Sequence, residues 1–341
     1  MDRATAPSHL PKLRCRSAFL ARAAWAYLAL VLAVALLLDL AGDLSWPATL
    51  IAFGPRWLAL VPLAPLAAGA ITHCRRAIVP LLLAACCVLG PLMGFCLPWR
   101  RLTAAATQGA LPLRVVTFNV GDVKDFSGLI GFLKDAAPDV IALQECPYPA
   151  PLRAAFPHGW FTARYDELFV ASRYPIVSTS IGPAATGQKA APAFRCDIET
   201  PSGIVHIYCL HLYTIRSGLN RVRDEWWRGA AELKRVSGIR NEESRLATDF
   251  AAGSEPSFVV GDFNLTSESA VFGRDWGDWQ DAFSVAGFGL GYTFAAGPIG
   301  LRIDHLLADR RHSCVRSCCV GPDFNGEHRP LVAELLLLND S

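Results

Sequence analysis

The first hundred residues contain three long stretches without a charged side chain, at residues 23–38, 57–72 and 77–99. The third stretch is long enough to cross a hydrocarbon layer of ~30 Å as one helix. The first two reach that length with a few flanking residues. Prolines within the second and third stretches are costly in soluble helices but are tolerated in packed membrane helices. The pattern predicts about three transmembrane helices, near residues 23–41, 55–72 and 77–99.

Basic residues indicate which ends of these spans face the cytoplasm. Lysine and arginine precede the first span and lie between the second and third, whereas the loop between the first and second holds Asp39, Asp43 and only Arg56. Because cytoplasmic loops carry the excess of positive charge, the N-terminus and the second loop are predicted to be cytoplasmic. Three spans then place the rest of the chain outside, although Arg100 and Arg101 run against this orientation. The predicted location is the cell (inner) membrane, multi-pass, with an extracytoplasmic C-terminal part.

The charge balance divides the chain at the same place. Residues 1–102 hold 10 Lys and Arg against 3 Asp and Glu, a balance of +7, and residues 103–341 hold 22 against 27, a balance of −5, which together give the net charge of +2. This division predicts a membrane region at 1–102, a small polar linker at 103–112 and a globular domain at 113–341. An acidic domain lacks the positive footprint of general nucleic-acid binding.

Short apolar runs alternate with helix-like segments in the globular domain. Runs of β-branched and aromatic residues predict strands, and apolar residues at helical spacing predict helices. The alternation predicts a mixed α/β domain in which helices cover the faces of sheets. The predicted strands lie at 113–119, 140–143, 168–172, 204–210, 257–260, 302–307 and 331–336, and the predicted helices at 126–137 and 221–252.

Two adjacent tryptophans near the start of the second predicted helix allow two interpretations. Trp226 and Trp227 lie among arginines. A solvated helix that packs its tryptophans inward is the favoured prediction, and a face that rests on a membrane surface is the alternative. Arg302 likewise has two predicted roles, either pointing at a phosphate or forming a surface salt bridge.

Polar side chains stand at the ends of the predicted strands more often than packing explains. A strand end aims a side chain into a cleft while the sheet holds it rigid. A single Glu or His in such a place is more often a solvated residue, but here six strand ends in one domain carry Asn, Asp, Glu or His. Carboxylate and amide oxygens bind Mg²⁺ or Mn²⁺, and phosphoester hydrolysis needs charge stabilisation and an activated water. The residues concerned are Asn119, Glu145, His211, Asp262 with Asn264, Asp304, and Glu327 with His328.

The order of these residues along the chain resembles the endonuclease/exonuclease/phosphatase superfamily. The motifs are TFNV, PDVIALQE, ASRYPIV, HL, GDFN, IDH and HRP, and they run from about residue 113 to residue 336. The superfamily includes pancreatic-type deoxyribonucleases, abasic-site endonucleases, neutral sphingomyelinases and inositol-polyphosphate phosphatases. The resemblance implies a two-sheet α/β sandwich, here preceded by about three transmembrane helices. It also implies an active site at one edge and dependence on Mg²⁺ or Mn²⁺.

The resemblance assigns one group of residues to the metal. It implies that Glu145 is the principal metal carboxylate and that Asn119 is the amide that helps to place the metal and the phosphate. Glu327 is a third expected metal residue, but the family usually has Asp at this position, and the additional methylene leaves a direct metal role open. Asp122 is an alternative second acid, although its spacing after Asn119 is unusual.

The resemblance assigns a second group of residues to catalysis. Asp262 is expected to orient or deprotonate the attacking water, and Asn264 to contact a phosphate oxygen. His211 is expected to stabilise charge on the phosphoryl oxygens. His328 is the expected catalytic histidine, and Asp304 the carboxylate that holds its imidazole in one tautomer. The sequence leaves open whether Asp262 or His328 takes the proton.

The substrate is less constrained than the chemistry. The acidic domain, the short linker and the extracytoplasmic location favour a membrane-proximal phosphoester, such as a lipid or envelope phosphate or pyrophosphate. One alternative is an extracytoplasmic endonuclease or exonuclease, with nucleic acid as the less expected partner. A second alternative is a non-catalytic domain that binds phospholipid or a partner. The expected partners are therefore the lipid bilayer and a phosphoester substrate.

Overall fold

The computed structural model describes residues 10–98, 110–147, 159–253 and 256–338, with side chains described from residue 16 onward. Most of the predicted linker and the last residue of the third predicted span fall in 99–109, outside the described residues. The predicted domain boundaries therefore stay predictions. The described chain is helical before this gap and contains both strands and helices after it.

The N-terminal helices pack against one another in alternating directions. Helix α1 (Leu10–Ala41) contacts α3 (Leu63–His73) and α4 (Ile78–Cys87). Leu20, near the start of α1, packs on Gly69, near the end of α3, so these two helices are antiparallel. Runs of alanine and leucine, which are strong helix formers, account for the long first helix.

Two helical stretches of the described chain, Arg16–Ala41 and Arg75–Leu92, are long and apolar enough to cross a membrane by length and composition. Helix α2 (Trp46–Ala52) and the stretch Arg56–His73 add a third only if they are counted as one span, and they are bent by 80° at the break between them. The sequence prediction of about three spans therefore corresponds to two continuous helical stretches and one bent pair.

The last of these helices is shorter than predicted. Helix α4 continues into a π-helical turn, Val88–Leu92, and ends there rather than at residue 99. Pro91 within the turn lacks the N–H that a continuing helix requires. The chain then becomes extended, and Cys96 exchanges two backbone hydrogen bonds, of 2.8 and 3.0 Å, with Gly289 of the C-terminal part.

The first sheet is built around one parallel pair of strands. Its six strands in the described chain are β1 (Leu111–Asn119), β2 (Val140–Gln144), β3 (Phe161–Tyr165), β4 (Leu168–Ser172), β13 (Ser313–Val320) and β14 (Leu331–Leu337). Their order across the sheet is β13-β14-β1-β2-β4-β3. Strands β1 and β2 are parallel, and helix α5 (Phe126–Ala136) makes the crossover that a parallel connection needs.

The second sheet repeats this arrangement. Its strands are β5 (Ile176–Ile181), β6 (Ala193–Thr200), β7 (Gly203–His211), β8 (Ser257–Asp262), β9 (Gln280–Asp281) and β12 (Asp304–Ala308), in the order β5-β6-β7-β8-β12-β9. Strands β7 and β8 are parallel, with α6 (Arg216–Glu225) and α7 (Ala230–Ala251) between them in sequence. The remaining elements described here are α8 (Ala270–Trp276), α9 (Ala282–Ala286) and a ribbon of β10 (Phe294–Ala296) and β11 (Ile299–Leu301).

The two sheets face each other across one apolar core. Val115 and Val170 from the first sheet meet Ile207, Phe258 and Leu306 from the second, and all five are fully buried. Alternate residues of each strand point into this layer, as expected for two packed sheets. The predicted two-sheet α/β sandwich is confirmed.

The predicted helix over 221–252 is wrong near its start. Helix α6 ends before Trp226, whose φ of +56° breaks the helical path, and α7 begins after a short 3₁₀ turn. The turn is tight because Gly229 lies on the backbone of Arg221, where an added Cβ would be 2.4 Å from the carbonyl group. Trp226 and Trp227 are 74% and 72% exposed, so the prediction that they pack inward is also wrong.

The N-terminal helices pack on the C-terminal domain through apolar and charged groups. Phe53 and Leu92 belong to one buried cluster with Ile215, Leu233 and Leu301. This cluster joins the end of the helical region that contains Phe53 and Leu92 to α6, α7 and the β10–β11 ribbon. The helical region is therefore continuous with the core of the domain in this structure.

Arg302 takes neither of its two predicted roles. It is 3% exposed, and its guanidinium lies 3.8 Å from the carboxylate of Asp281 and 4.0 Å from that of Glu268. Glu268 also pairs with Arg56 of the helical region at 2.7 Å. Arg302 is thus part of a buried ionic network at the contact between the helical region and the domain.

Candidate functional site

The parallel strand pairs bring the predicted polar residues to one edge of the sandwich. Asn119 at the end of β1 lies beside Gln144 at the end of β2, and His211 at the end of β7 lies beside Asp262 at the end of β8. Asp304 begins the antiparallel strand β12 and also pairs with Asp262. The start of an antiparallel strand lies at the same edge as the end of its neighbour, so the register alone gathers these side chains.

Gly261 allows β8 to lie close to β7 next to this edge. Its φ is +145°, and an added Cβ would lie 1.9 Å from the carbonyl oxygen of Leu210. No side chain fits in that space, so the glycine of the GDFN motif is required for the close approach. Asp262 follows directly and projects from the strand end.

The Oδ2 atom of Asp262 is the geometric centre of the site. Asn119 Nδ2 donates a hydrogen bond to it over 3.1 Å. The Nε2 atoms of His211 and His328 each lie 3.7 Å from the same oxygen. Asp262 is 1% exposed, so its charge is balanced by these three nitrogen groups rather than by bulk water.

Glu145 lies beside this centre and is the more accessible carboxylate. It follows β2 with a φ of +52°, and its side chain is 42% exposed. Its Oε1 accepts a hydrogen bond from Asn119 Nδ2 over 2.9 Å, so one amide group contacts both carboxylates. A Cβ at position 121 would lie 2.0 Å from Oε2, and Gly121 therefore leaves the space that the carboxylate occupies.

His211 is held in one orientation by Glu167. The Nδ1 atom of the histidine lies 2.5 Å from Glu167 Oε1, which directs Nε2 toward Asp262 and Glu145. Burial acts to lower the pKa of His211, but the hydrogen bond with Glu167 and the nearby carboxylates outweigh it and raise the pKa to about 9. The surrounding carboxylates therefore favour the protonated form of His211.

His328 is oriented in the same way by Asp304. Its Nδ1 lies 2.9 Å from Asp304 Oδ2, and its Nε2 faces Asp262. Burial acts to lower the pKa of His328, but the charges of Asp304 and Asp262 outweigh it and raise the pKa to about 9. The carboxylate–imidazole pair predicted from the sequence is thus present as a geometric arrangement.

The oxygen donors at this edge fit a divalent cation. Asp262, Asp304 and His328 each offer a ligand atom, and these atoms all lie within 4.8 Å of one another. Glu145 and Asp262 provide the oxygen donors that hard cations such as Mg²⁺ prefer. The space that Gly121 leaves around Glu145 is consistent with this use of the carboxylate.

Comparison with known sequences identifies the family. The sequence profile of the Endonuclease/Exonuclease/phosphatase family matches residues 116–328, which is more than half of the chain. The chain belongs to this family. Members of the Endonuclease/Exonuclease/phosphatase family are hydrolases that act on phosphoester bonds, and they generally use divalent metals. No curated protein sequence matches the chain.

Solved structures of the same family share the fold at low sequence identity. A family protein from Bacteroides thetaiotaomicron has a TM-score of 0.52 and 15% identity, covering 67% of this chain and 98% of that one. A 3′ phosphatase from Neisseria bound to a product DNA hairpin has a TM-score of 0.50 and 15% identity over 65% and 98%. A family protein from Beutenbergia cavernae has a TM-score of 0.50 and 17% identity over 67% and 72%. These likenesses extend to the fold alone.

Asn264 of the GDFN motif contacts the site mainly through its backbone. Its N–H donates to Asp262 Oδ1 over 2.8 Å, and its φ of +48° turns the chain away from β8. The side-chain amide donates to the carbonyl of Leu212 over 2.9 Å. Its predicted role as a phosphate ligand in this family member stays a prediction.

Glu327 and Asp122 lie at the rim rather than at the centre. The carboxylate of Glu327 pairs with Arg216 at the start of α6, and about a third of its side chain is exposed. Asp122 lines the same opening. The predicted metal role of Glu327 stays a prediction.

Glu167 was missed by the sequence reasoning. It lies directly before β4, an antiparallel strand whose start reaches the catalytic edge. Glu167 precedes its strand, as Glu327 and His328 precede β14, but no motif of the family marks it. Detecting it required the pairing of β4, which the sequence alone does not provide.

The site opens into a cavity of about 860 Å³. Glu145, His211, Asp262 and His328 line it on the side of the catalytic edge. Phe53 of the helical region lines it as well. Cavities of this size are typical of small-molecule sites. The cavity therefore connects the polar centre of this family member with its N-terminal helices.

Proposed function

We propose that this protein is a membrane-anchored, divalent-metal-dependent phosphoester hydrolase whose substrate lies close to the bilayer. A lipid or envelope phosphate or pyrophosphate is the substrate class favoured by the net charge of −5 in residues 103–341. One observation carries the proposal. The cluster around Asp262 opens into a cavity that the helical region also lines.

Residues on the open side of the site are suited to hold the metal. Glu145 would bind a Mg²⁺ or Mn²⁺ ion through its accessible carboxylate, and Asn119 fixes the position of this carboxylate relative to that of Asp262. When bound, the cation supplies positive charge for the phosphoryl oxygens. Asn119 therefore acts by orienting the two carboxylates.

The two histidines provide further positive charge and the proton transfers. His211, held by Glu167, directs Nε2 at the region where the phosphoryl oxygens would lie. Asp304 holds His328 with Nε2 toward Asp262, and the charges of Asp304 and Asp262 favour the protonated ring, which can donate a hydrogen bond to the phosphate. Asp262 then accepts the proton of the attacking water, and Asp304 keeps the His328 ring in place.

The contact between the helical region and the domain supports an extracytoplasmic active site. The domain touches the helical region at Arg56 and Cys96, near one end of the helices. Arg75 and Arg76 lie in the loop that joins α3 to α4, at the other end. Because basic loops favour the cytoplasmic side, the domain would lie on the opposite side.

The activity is tested with the full chain in nanodiscs. A soluble reporter, bis(p-nitrophenyl) phosphate, is incubated with Mg²⁺ and with EDTA, and undecaprenyl pyrophosphate and plasmid DNA are tested in parallel. We expect metal-dependent turnover of the reporter and phosphate release from the lipid. Nicking of DNA without phosphate release from the lipid would instead favour the nuclease alternative. No turnover of any of the three substrates with Mg²⁺ or Mn²⁺ would contradict the hydrolase.

The orientation is tested separately with a reporter fused after Ser341. An enzyme reporter that is active only outside the cytoplasm is expected to give a signal. A second reporter that fluoresces only in the cytoplasm is the matched control. A cytoplasmic signal would contradict the extracytoplasmic location without affecting the chemistry.

A further inference from the structure

The cavity at the active site is chemically asymmetric. The catalytic carboxylates and imidazoles line one part of it, and apolar side chains line another. Ribbon strands β10 and β11 supply several of these apolar groups, and the start of α6 and the loop before it supply others. The apolar lining includes Phe53, Ile215, Leu219, Phe294, Ile299 and Leu301.

The helical region and the domain build this apolar wall jointly. Phe53 lies just after α2, whereas Leu301 belongs to the ribbon. Both are members of the buried cluster that also contains Val31 and Leu92 of the membrane-span candidates. The wall is therefore continuous with the apolar helices at the end that contacts the domain.

The apolar wall begins directly beside the catalytic groups. The ring of Phe294 lies 5.1 Å from the ring of His328, centroid to centroid. Leu212 follows His211 and Ile303 precedes Asp304, and both line the cavity. A bound molecule could thus place a polar group at Asp262 and an apolar group along this wall.

We infer that the apolar part of the cavity is a subsite for a hydrocarbon chain of an amphiphilic phosphoester. This inference rests on the proposed function, because the phosphoester group is assigned to the Asp262 centre. A volume of about 860 Å³ can hold a head group together with part of a chain. Phe53 and Ile299 are specificity-determining residues in this arrangement.

The dependence of inhibition on the length of the inhibitor's alkyl chain provides the test. Methyl, butyl and octyl phosphate are compared as inhibitors of reporter hydrolysis by the full chain in nanodiscs, below the concentrations at which they form micelles. Burial of a methylene predicts that inhibition strengthens by up to about fourfold per methylene. Equal inhibition by methyl and octyl phosphate overturns the subsite and leaves the proposed hydrolase intact.

Variants locate the subsite. Ile299→Trp fills the apolar part of the cavity. This variant is expected to weaken inhibition by octyl phosphate at least tenfold and to leave inhibition by methyl phosphate unchanged. Leu219→Trp fills the same space from α6 and serves if the first variant folds poorly. Phe161→Trp on the edge strand β3, outside the cavity lining, is the matched control. An unchanged chain-length dependence in both filled variants overturns the location.

A failure of the proposed hydrolase function is distinguished from a failure of the subsite by a binding measurement. If the reporter is not hydrolysed with Mg²⁺ or Mn²⁺, the hydrolase proposal fails, and binding of the same alkyl phosphates is measured by calorimetry. Chain-length dependence in that measurement supports the subsite, and its absence overturns it.

Discussion

Asp43 and Arg240 form an ion pair in which neither side chain is exposed to solvent, with 2.5 Å between Oδ1 and Nη2. Asp43 follows α1, and Arg240 lies in the middle of α7. The same guanidinium donates to the backbone carbonyl of Asn264 through Nη1. The pair therefore links the helical region to the loop that carries the GDFN motif.

Removal of the charge at position 43 is expected to destabilise the protein. Asp43→Asn leaves Arg240 buried without a counter-charge, and breaking such a pair costs about 3–5 kcal/mol. Thermal unfolding in detergent measures the effect. Asp39→Asn, at an exposed position in the last turn of α1, is the control and is expected to change little. Equal melting temperatures for the two variants would contradict this role.

Asp262→Asn is expected to lower kcat by about 10²- to 10⁴-fold, the range that general-base groups contribute. The variant keeps the size of the side chain and its position among three nitrogen groups, so folding is expected to be retained. Reporter hydrolysis at saturating substrate measures the change. Asp278→Asn, at an exposed position, controls for the loss of one acidic residue. A kcat within a few-fold of the parent protein would remove Asp262 from the mechanism.

Glu167→Gln tests the orientation of His211. Loss of the carboxylate removes an interaction that raises the pKa of His211 and fixes its ring. We expect kcat to fall about tenfold or more, as for other partners that orient an active-site histidine. Asp166→Asn, at the exposed neighbouring residue with a φ of +49°, is the matched control because Asn tolerates this conformation. Equal activity of both variants would assign Glu167 no part in catalysis.

Glu145→Gln is expected to abolish stabilisation by metal. A ligand that binds only the folded state adds about 2.7 kcal/mol at a hundredfold excess over its Kd. Mg²⁺ should therefore raise the melting temperature of the parent protein and not that of the variant. Asp122→Asn tests the alternative acid in the same assay. A rise in melting temperature with Mg²⁺ that persists in Glu145→Gln and disappears in Asp122→Asn would assign the metal role to Asp122 instead of Glu145.

Glu243→Gln is expected to change how stability depends on pH. Burial raises the pKa of Glu243 to about 7 in the folded protein, so the folded state favours the protonated carboxyl. The contribution of the Glu243 carboxyl to the free energy of unfolding is fully present below its unfolded pKa of about 4.3. This contribution is lost as the pH rises through 7. The variant cannot ionise, and its stability advantage over the parent protein should grow from nothing at pH 4 to at most about 4 kcal/mol above pH 7. Asp249→Asn, exposed on the same helix, should leave the pH profile unchanged.

The catalytic edge was predictable because the ends of strands are marked locally in the sequence. Asn119, His211 and Asp262 follow apolar runs, and parallel pairing brings the ends of such runs together. The exposed strands β3 and β5 were missed because they lack a buried apolar run. Strands β6 and β13 were missed because Arg195 and Arg316 interrupt theirs.

Long-range packing set the features that the sequence did not reveal. The break at Trp226 depends on the contact of Gly229 with α6, which forms only when α6 and α7 pack together. Asp43 and Arg240 are 197 residues apart in sequence, and no local pattern marks them as partners. The chemical roles of individual residues were therefore easier to predict than the contacts that join the helical region to the domain.

The shared interface makes the helices part of the enzyme's working structure and not a detachable tether. A soluble fragment that starts at residue 110 would leave Arg240 without its counter-charge and the cavity without Phe53. Such a fragment would expose apolar surface at Ile215 and Leu233 and would offer its substrates an incomplete pocket. A preparation that retains the N-terminal hundred residues keeps this interface intact.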